Sequence, residues 1–432
     1  MRSKKTISLK LRQGRVLGLT ILGALQVLAL VAQQTPEPES SPESVSEPGI
    51  VVDVAWVLGH GEDLVLVDTR SAVAHREGRL RGSVRLAGVT ATTAPGETRT
   101  LLATAGVERS KTVVLYGDDR VAIASVFFAL ERAGREQVHV LTGGLETWIE
   151  AEGAVVTGEP TPWPAVVDSS SVGDSVAAIT LRETQASLGQ AGFEILDLRD
   201  GVDWTTQDYE APARFRAGHI PAALPFEVES WLPADGGWPA VDLVRQRLKA
   251  VGPRPGTRVR LGSTFVLYGD EEPGRQVLLA YLLLRHAGIE TRVLVDGWHG
   301  WLAEENPVVQ IVTTEEVAAM LETENPGLAD DRRPEGMILL DNRGAGAFDA
   351  SHLPGATALP AELFLDEFES VVEEGWPGVD RTQVPVVFYC YGRSCVRSRY
   401  CSTRAAEMGF RKLMWFREGV PGWQRAGLRF YP

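Results

Sequence analysis

A threefold internal repeat constrains this chain more than any other feature. Between residue 50 and the end, one succession of elements recurs three times. Each copy opens on a short helical pattern, in WVLGHGED, ITLRETQASL and VTTEEVAAML, the third with a Thr-X-X-Glu cap ahead of its apolar positions. A largely apolar run ending in Asp-X-Arg follows: LVLVDTR (64–70), FEILDLR (193–199) and MILLDNR (337–343). Continuous apolar runs of this length suit strands covered on both faces, as in a parallel sheet. Turns rich in small residues come next, GRLRGS, GHIPAA and SHLPGA, and then a second apolar strand that ends at Gly117, Gly269 and Cys390. A loop and an amphipathic helix follow each of these, closing at Gly134, Gly288 and Gly409, the residue type expected at a helix C-terminus. A last strand ends in Gly with Trp four residues on: Gly144 and Trp148, Gly297 and Trp301, Gly419 and Trp423. Strands alternating with helices predict an α/β protein of three tandem units, at residues 50–157, 176–310 and 311–432. Ligands are expected beyond the carboxyl ends of the strands.

The 432 residues suffice for such domains, and three cysteines cannot make a disulfide framework. Asp and Glu outnumber Lys and Arg by 57 to 43, a formal charge of −14, which argues against binding nucleic acid through its phosphates. The first fifteen residues carry Arg2, Lys4, Lys5, Lys10, Arg12 and Arg15 without an acid, and VLGLTILGALQVLALVA (16–32) follows. This pattern reads as an export signal over residues 1–33, either a cleaved signal peptide or a retained membrane anchor. The Pro, Glu and Ser tract at 34–49 reads as a linker with nothing to pack. The body is thus expected in the periplasm or outside the cell.

The ordered set of Asp-X-Arg, the Gly-His-Ile-Pro-like turn, strand-Cys-loop-helix and Gly-X-X-X-Trp resembles the rhodanese-like (sulfurtransferase) family over roughly residues 50–432. The resemblance implies, for each unit, a small parallel sheet of five strands flanked by helices. It also implies a cysteine at the tip of a central strand that carries sulfur as a persulfide, with no organic cofactor and no metal.

Such chemistry needs a thiolate, and backbone N–H groups and cations to hold the persulfide anion. The third unit offers them. Cys390 ends the strand, YGRSCV (391–396) turns, and Arg397 and Ser398 begin the helix, with Arg393 and Arg399 adding positive charge. Ser394 and Ser398 are candidate hydrogen-bond donors to the sulfane sulfur or a bound oxyanion, and Arg343 is a candidate for orienting an anionic donor. The other two loops read GDDRVA and GDEEPGR: glycine replaces cysteine, and Asp118, Asp119, Asp270, Glu271 and Glu272 would repel an anion. Both units are expected to be catalytically silent.

The third loop departs from the common family pattern. Its spacing is Cys-X₆-Arg, whereas rhodaneses resemble Cys-X₄-Arg and the rhodanese-fold phosphatases Cys-X₅-Arg. Cys390 and Cys395 with MWFREG (414–419) look like a variant among bacterial periplasmic rhodanese-like proteins that has a second loop cysteine. Cys395 is therefore a candidate nucleophile itself, or the partner that resolves a persulfide or sulfenate through a disulfide with Cys390. Cys401, on the helix, reads as a small buried hydrophobe. Three thiols without a fourth spaced ligand make a poor zinc site.

Comparison among the copies restrains the remaining assignments. Silent units keep Asp68 with Arg70 and Asp197 with Arg199, so Asp341 and Arg343 are expected to maintain the fold at least as much as to bind. His352 has a silent counterpart in His219 and reads as a turn anchor; Trp148, Trp301 and Trp423 read as core, and Glu418 as solvent-facing. The expected function is sulfane-sulfur transfer from thiosulfate, 3-mercaptopyruvate or a related donor through Cys390 to a thiol or cyanide-like acceptor. Two other classes stay open, a non-catalytic scaffold and a redox module cycling Cys390 with Cys395. A membrane tether is expected only if the N-terminal segment is retained.

Overall fold

Each copy of the repeat folds into a five-stranded parallel sheet, and all three sheets share one strand order. In spatial order the first runs Val51–Val52, Val138–Leu141, Thr112–Tyr116, Leu64–Asp68 and Val84–Arg85. The second runs Ala178–Ile179, Thr291–Leu294, Thr264–Tyr268, Phe193–Asp197 and Leu224–Pro225. The third runs Val308–Val312, Lys412–Phe416, Pro385–Tyr389, Ile338–Asp341 and Thr357–Ala358. The computed structural model describes residues 49–61, 63–167, 176–199, 212–251 and 259–432. The expected export signal at 1–33, and the linker at 34–49 apart from Gly49, lie outside the described residues.

Local sequence explains the elements. The strands that the apolar runs predict are buried on both faces, with Val113, Val114, Phe265, Val266, Val386 and Val387 all inaccessible. Capping boxes start two of the opening helices: Thr180 with Glu183 before Leu181–Ser187, and Thr313 with Glu316 before Thr314–Glu324. Sequence reading found only the second of these. Gly134, Gly288 and Gly409 take φ of 81°, 70° and 91° and end their helices as expected.

The three units are packed together. Helix Arg120–Arg132 of the first lies against Arg275–His286 of the second, and one hydrophobic core runs through both. Phe128 meets Tyr281 edge-on at 5.0 Å, and Arg285 grips the buried Glu131 carboxylate through two hydrogen bonds of 2.9 and 3.1 Å. The second and third units are joined by a shared strand. Val308–Val312 forms the outer strand of the third sheet, three residues earlier than the expected start at 311. Its Val309 also makes a reciprocal antiparallel bridge with His219 in the turn of the second unit. Equivalent pairings close the other units within themselves, Leu80 with Val155 and His352 with Tyr431.

Candidate functional site

Register places the repeated motifs at one end of each sheet. Asp68, Asp197 and Asp341 pair in register with Tyr116, Tyr268 and Tyr389, the last residue of the neighbouring strand. In all three units the Tyr hydroxyl donates to this Asp, and the Arg two residues on forms an ion pair with it, at 2.7, 2.6 and 2.6 Å. The same Arg donates to a carbonyl in the following turn: Gly78, Gly218 or Ser351. Burial disfavours the charge on Arg343, but the Asp341 carboxylate outweighs it and raises the guanidinium above its ordinary range. Burial, with the carboxylate beside it, pushes the Tyr389 phenol well up, so it stays a neutral donor. This triad is therefore architecture common to every unit; removing one partner of such a buried pair typically costs about 3–5 kcal/mol. The tyrosine went unnoticed in the sequence, although its recurrence just before Gly117, Gly269 and Cys390 was there to be read.

A second repeated device holds the loop from the other side. Gly144, Gly297 and Gly419 all have positive φ, and a Cβ at Gly419 would lie 2.2 Å from the Cys390 carbonyl oxygen. The next residue, Val420, donates its N–H to that oxygen at 3.2 Å. Four residues beyond the glycine, Trp148, Trp301 and Trp423 are core residues, and each indole donates to a carbonyl six residues on. His219 and His352 each stack on a phenylalanine at 3.8 Å and bond its carbonyl, as turn anchors do. Burial pulls the His219 pKa down to about 3, so it is neutral.

In the third unit Cys390 is 1% exposed at the strand tip and is joined in a disulfide to the half-buried Cys395, with their Cα atoms 6.3 Å apart. The loop between them turns through a hydrogen bond from Cys395 N–H to the Gly392 carbonyl. The following helix, Arg397–Glu407, starts after Val396, which offers no side-chain oxygen to its first-turn N–H groups. Cys401 is buried in the core, and burial pushes its thiol well up, out of reactive range.

The expected site residues separate into distinct groups. Arg393 and Ser394 lie within the loop, Ser394 exposed and Arg393 half-buried. Arg343 lies against the loop, its guanidinium 5.8 Å from the Tyr391 ring. Arg397 pairs with Glu362 at 3.5 Å. The Ser398 hydroxyl accepts the Trp415 indole N–H at 3.0 Å in the interior. Arg399 does not join the loop: two residues into the helix, it turns toward the second unit and donates to the Ala222 and Ala223 carbonyls. Its burial there lowers its pKa to about 10. Glu418, expected in solvent, is instead a hub. It accepts from the Thr314 hydroxyl at 2.6 Å and from Arg393 at 3.1 Å. Burial opposes its ionisation, yet Thr314 and Arg393 outweigh that and hold the carboxyl below the usual range.

The two loops that follow glycine differ in kind. In the first, only Asp118 and Asp119 separate Gly117 from helix Arg120–Arg132, and the Asp119 carboxylate caps that helix by accepting from Val121 N–H at 2.8 Å. A Cβ at Gly117 would lie 2.2 Å from the Thr69 hydroxyl. In the second, Asp270 pairs with Arg214 and Glu271 with His299. A cleft of about 1090 Å³ opens there, lined by Asp270, Glu271, Arg275 and Trp298, with glycine at the strand tip.

Residues 53–151 and 313–426, holding four of the five strands of the first and third sheets, match the family described as Rhodanese-like domain. The chain is 32% identical over 168 residues to a protein of Pseudomonas aeruginosa named "Probable 3-mercaptopyruvate sulfurtransferase", covering 36% of this chain and 55% of that one. It is 23% identical over 226 residues to "Sulfur carrier protein TtuD" of Thermus thermophilus, covering 48% of this chain and 79% of the relative. The chain spans about half the length of the first curated relatives it matches. Among solved structures, the 3-mercaptopyruvate sulfurtransferase SseA from Escherichia coli aligns at 20% identity with a TM-score of 0.43, over 58% of this chain and 99% of that one. Residues 53–151 and 313–426 thus belong to the rhodanese-like domain family, and the sheet between them repeats their strand order, so the chain is built of three tandem units of one architecture.

Proposed function

We propose that the third unit is a sulfurtransferase that moves sulfane sulfur from thiosulfate, 3-mercaptopyruvate or a related donor through a persulfide on Cys390. With the loop reduced, the Cys390 thiolate attacks the outer sulfur of thiosulfate. The donor's S–S bond breaks and sulfite leaves with the electron pair. The observation that carries this reading is the contrast between loops. Of the three equivalent strand tips, the one with a cysteine is also the one whose loop, residues 391–396, is free of carboxylates and leads into a helix with no side-chain cap. A helix start in that state favours a thiolate or persulfide anion. Arg393 and Arg343 supply positive charge beside the loop, and Ser394 a hydroxyl. The names of the relatives point to the same chemistry.

The disulfide between Cys390 and Cys395 favours a second reading, a thiol redox module cycling those two residues. The residues before 34 support export to the periplasm or beyond, with the segment either cleaved or kept as a tether. Fractionating cells that express the full chain decides the location; recovery of the protein in the cytoplasm overturns it.

The activity is tested on the pre-reduced full chain mixed with thiosulfate, following sulfite. The expected result is a burst of one sulfite per chain, reduced by about a thousandfold or more in rate in Cys390→Ser. A burst that persists in Cys390→Ser, or neither sulfite from thiosulfate nor pyruvate from 3-mercaptopyruvate with the reduced wild type, rejects the assignment.

A further inference from the structure

With the loop closed by the disulfide, Cys390 is the covered member of the cysteine pair. It is 1% exposed, and its carbonyl is gripped by Val420 beneath Gly419. Cys395 is the more exposed of the pair, and its sulfur is already the bonding partner of the Cys390 sulfur. The segment between them is fixed by two ties: the turn from Cys395 N–H to the Gly392 carbonyl, and the Arg393–Glu418 ion pair that fastens the loop to Thr314. A thiol so placed acts as an intramolecular nucleophile, with effective molarities that reach about 10⁵–10⁸ M in favourable cases. Cys401 does not compete, because it lies in the core with its thiol pushed up by burial.

Resting on the sulfurtransferase reading above, we propose that Cys395 resolves the Cys390 persulfide, expelling the sulfane sulfur as hydrosulfide, and that a reduced dithiol is the co-substrate that reopens the loop. The Cys395 thiolate attacks the inner sulfur, Sγ of Cys390. A Cys390–Cys395 bond forms, and the bond from Cys390 Sγ to the outer sulfur breaks. Hydrosulfide leaves with the electron pair and carries the proton that Cys395 gave up. The disulfide is then attacked at the more exposed Cys395 sulfur by one thiolate of the dithiol, so that Cys390 leaves as the thiolate. The second thiol of the dithiol displaces Cys395 from the mixed disulfide. Two electrons thus pass from the dithiol to the sulfane sulfur. The whole cycle turns thiosulfate and a dithiol into sulfite, hydrosulfide and an oxidised dithiol.

The test is a single turnover of the pre-reduced full chain, freed of reductant and given thiosulfate, with sulfite and hydrosulfide measured together and the protein weighed intact after alkylation. The expected wild type releases both products in equal amounts and ends with Cys390 and Cys395 blocked from alkylation as a disulfide. Cys395→Ser is expected to release sulfite, gain the mass of one sulfur atom, and lose hydrosulfide release by about tenfold or more. A catalytic cycle then runs with dithiothreitol as the probe dithiol in the wild type. If the wild type releases sulfite but keeps the sulfur as a stable persulfide, the resolving role of Cys395 is overturned and the sulfurtransferase assignment stands. The role is overturned equally if Cys395→Ser releases hydrosulfide as fast as the wild type, or if the sulfur is found on Cys395. If neither protein releases sulfite from thiosulfate or pyruvate from 3-mercaptopyruvate, the sulfurtransferase reading itself falls, and the resolving step with it.

Discussion

The first and third units hold the same motif in the same frame and differ at the strand tip. In both, an Asp–Arg pair, a buried Tyr, a left-handed Gly and a core Trp fix the ends of the loop. In the first, Asp119 caps the helix and Thr69 fills the space a cysteine side chain would need. In the third, the helix start has no side-chain cap and the longer loop brings a second thiol onto the first. The first unit thus differs from the third by more than the missing cysteine. A carboxylate sits at the start of its helix, and Thr69 lies where a side chain at the strand tip would go.

Grafting tests this most severely. Gly117→Cys is expected to load no sulfur in a background lacking Cys390, several orders of magnitude below the third unit. It is also expected to lose about 1–3 kcal/mol of stability from the clash with Thr69, measured by urea denaturation. A first unit that loads sulfur after this single change would break the comparison.

The reverse graft has a smaller expected effect. Val396→Asp places a carboxylate at the helix start of the third unit, as Asp119 does in the first. In a Cys395→Ser background it should raise the Cys390 pKa and slow sulfite release by about tenfold, while stabilising the helix by about 0.5–1 kcal/mol. The pH dependence of Cys390 alkylation measures the first effect, and an unmoved profile would dissociate the helix start from thiolate formation.

Glu418→Gln should have the smallest effect. It removes the carboxylate that neutralises Arg393, so the KM for thiosulfate should fall by about two- to threefold with kcat nearly constant. A rise in KM would instead mean that holding Arg393 in place matters more than freeing its charge. The same residue carries a pH signature. Because the folded pKa of Glu418 lies below its ordinary 4.5, its contribution to stability is present above 4.5 and is lost as pH falls through the lowered value. Acid unfolding of Glu418→Gln should accordingly be shallower in that window.

How much of this was legible in the sequence depended on the range of the interaction. The repeat exposed the strands and the closing glycines, because burial on two faces and a left-handed helix end leave local marks. It also pointed to a fold role for Asp341, Arg343 and His352, since units with glycine at the strand tip keep equivalents. Tyr389 was missed because an apolar strand absorbs a tyrosine without a visible break in pattern, and only register with Asp341 shows what its hydroxyl does. Arg399 and Glu418 were misplaced for a similar reason. A charged residue at a helix start or a strand end has no visible partner in the chain around it, and theirs lie 177 and 104 residues away.

The sequence by itself determined the three α/β units, the apolar strands within them and the single strand-tip cysteine, because each follows from local pattern and copy number. Tertiary structure alone decided which charges reach the loop, that Val308–Val312 serves two units at once, and that Cys395 meets Cys390. Those are outcomes of packing between distant segments, where direction along a helix and burial against a neighbour select one partner among many.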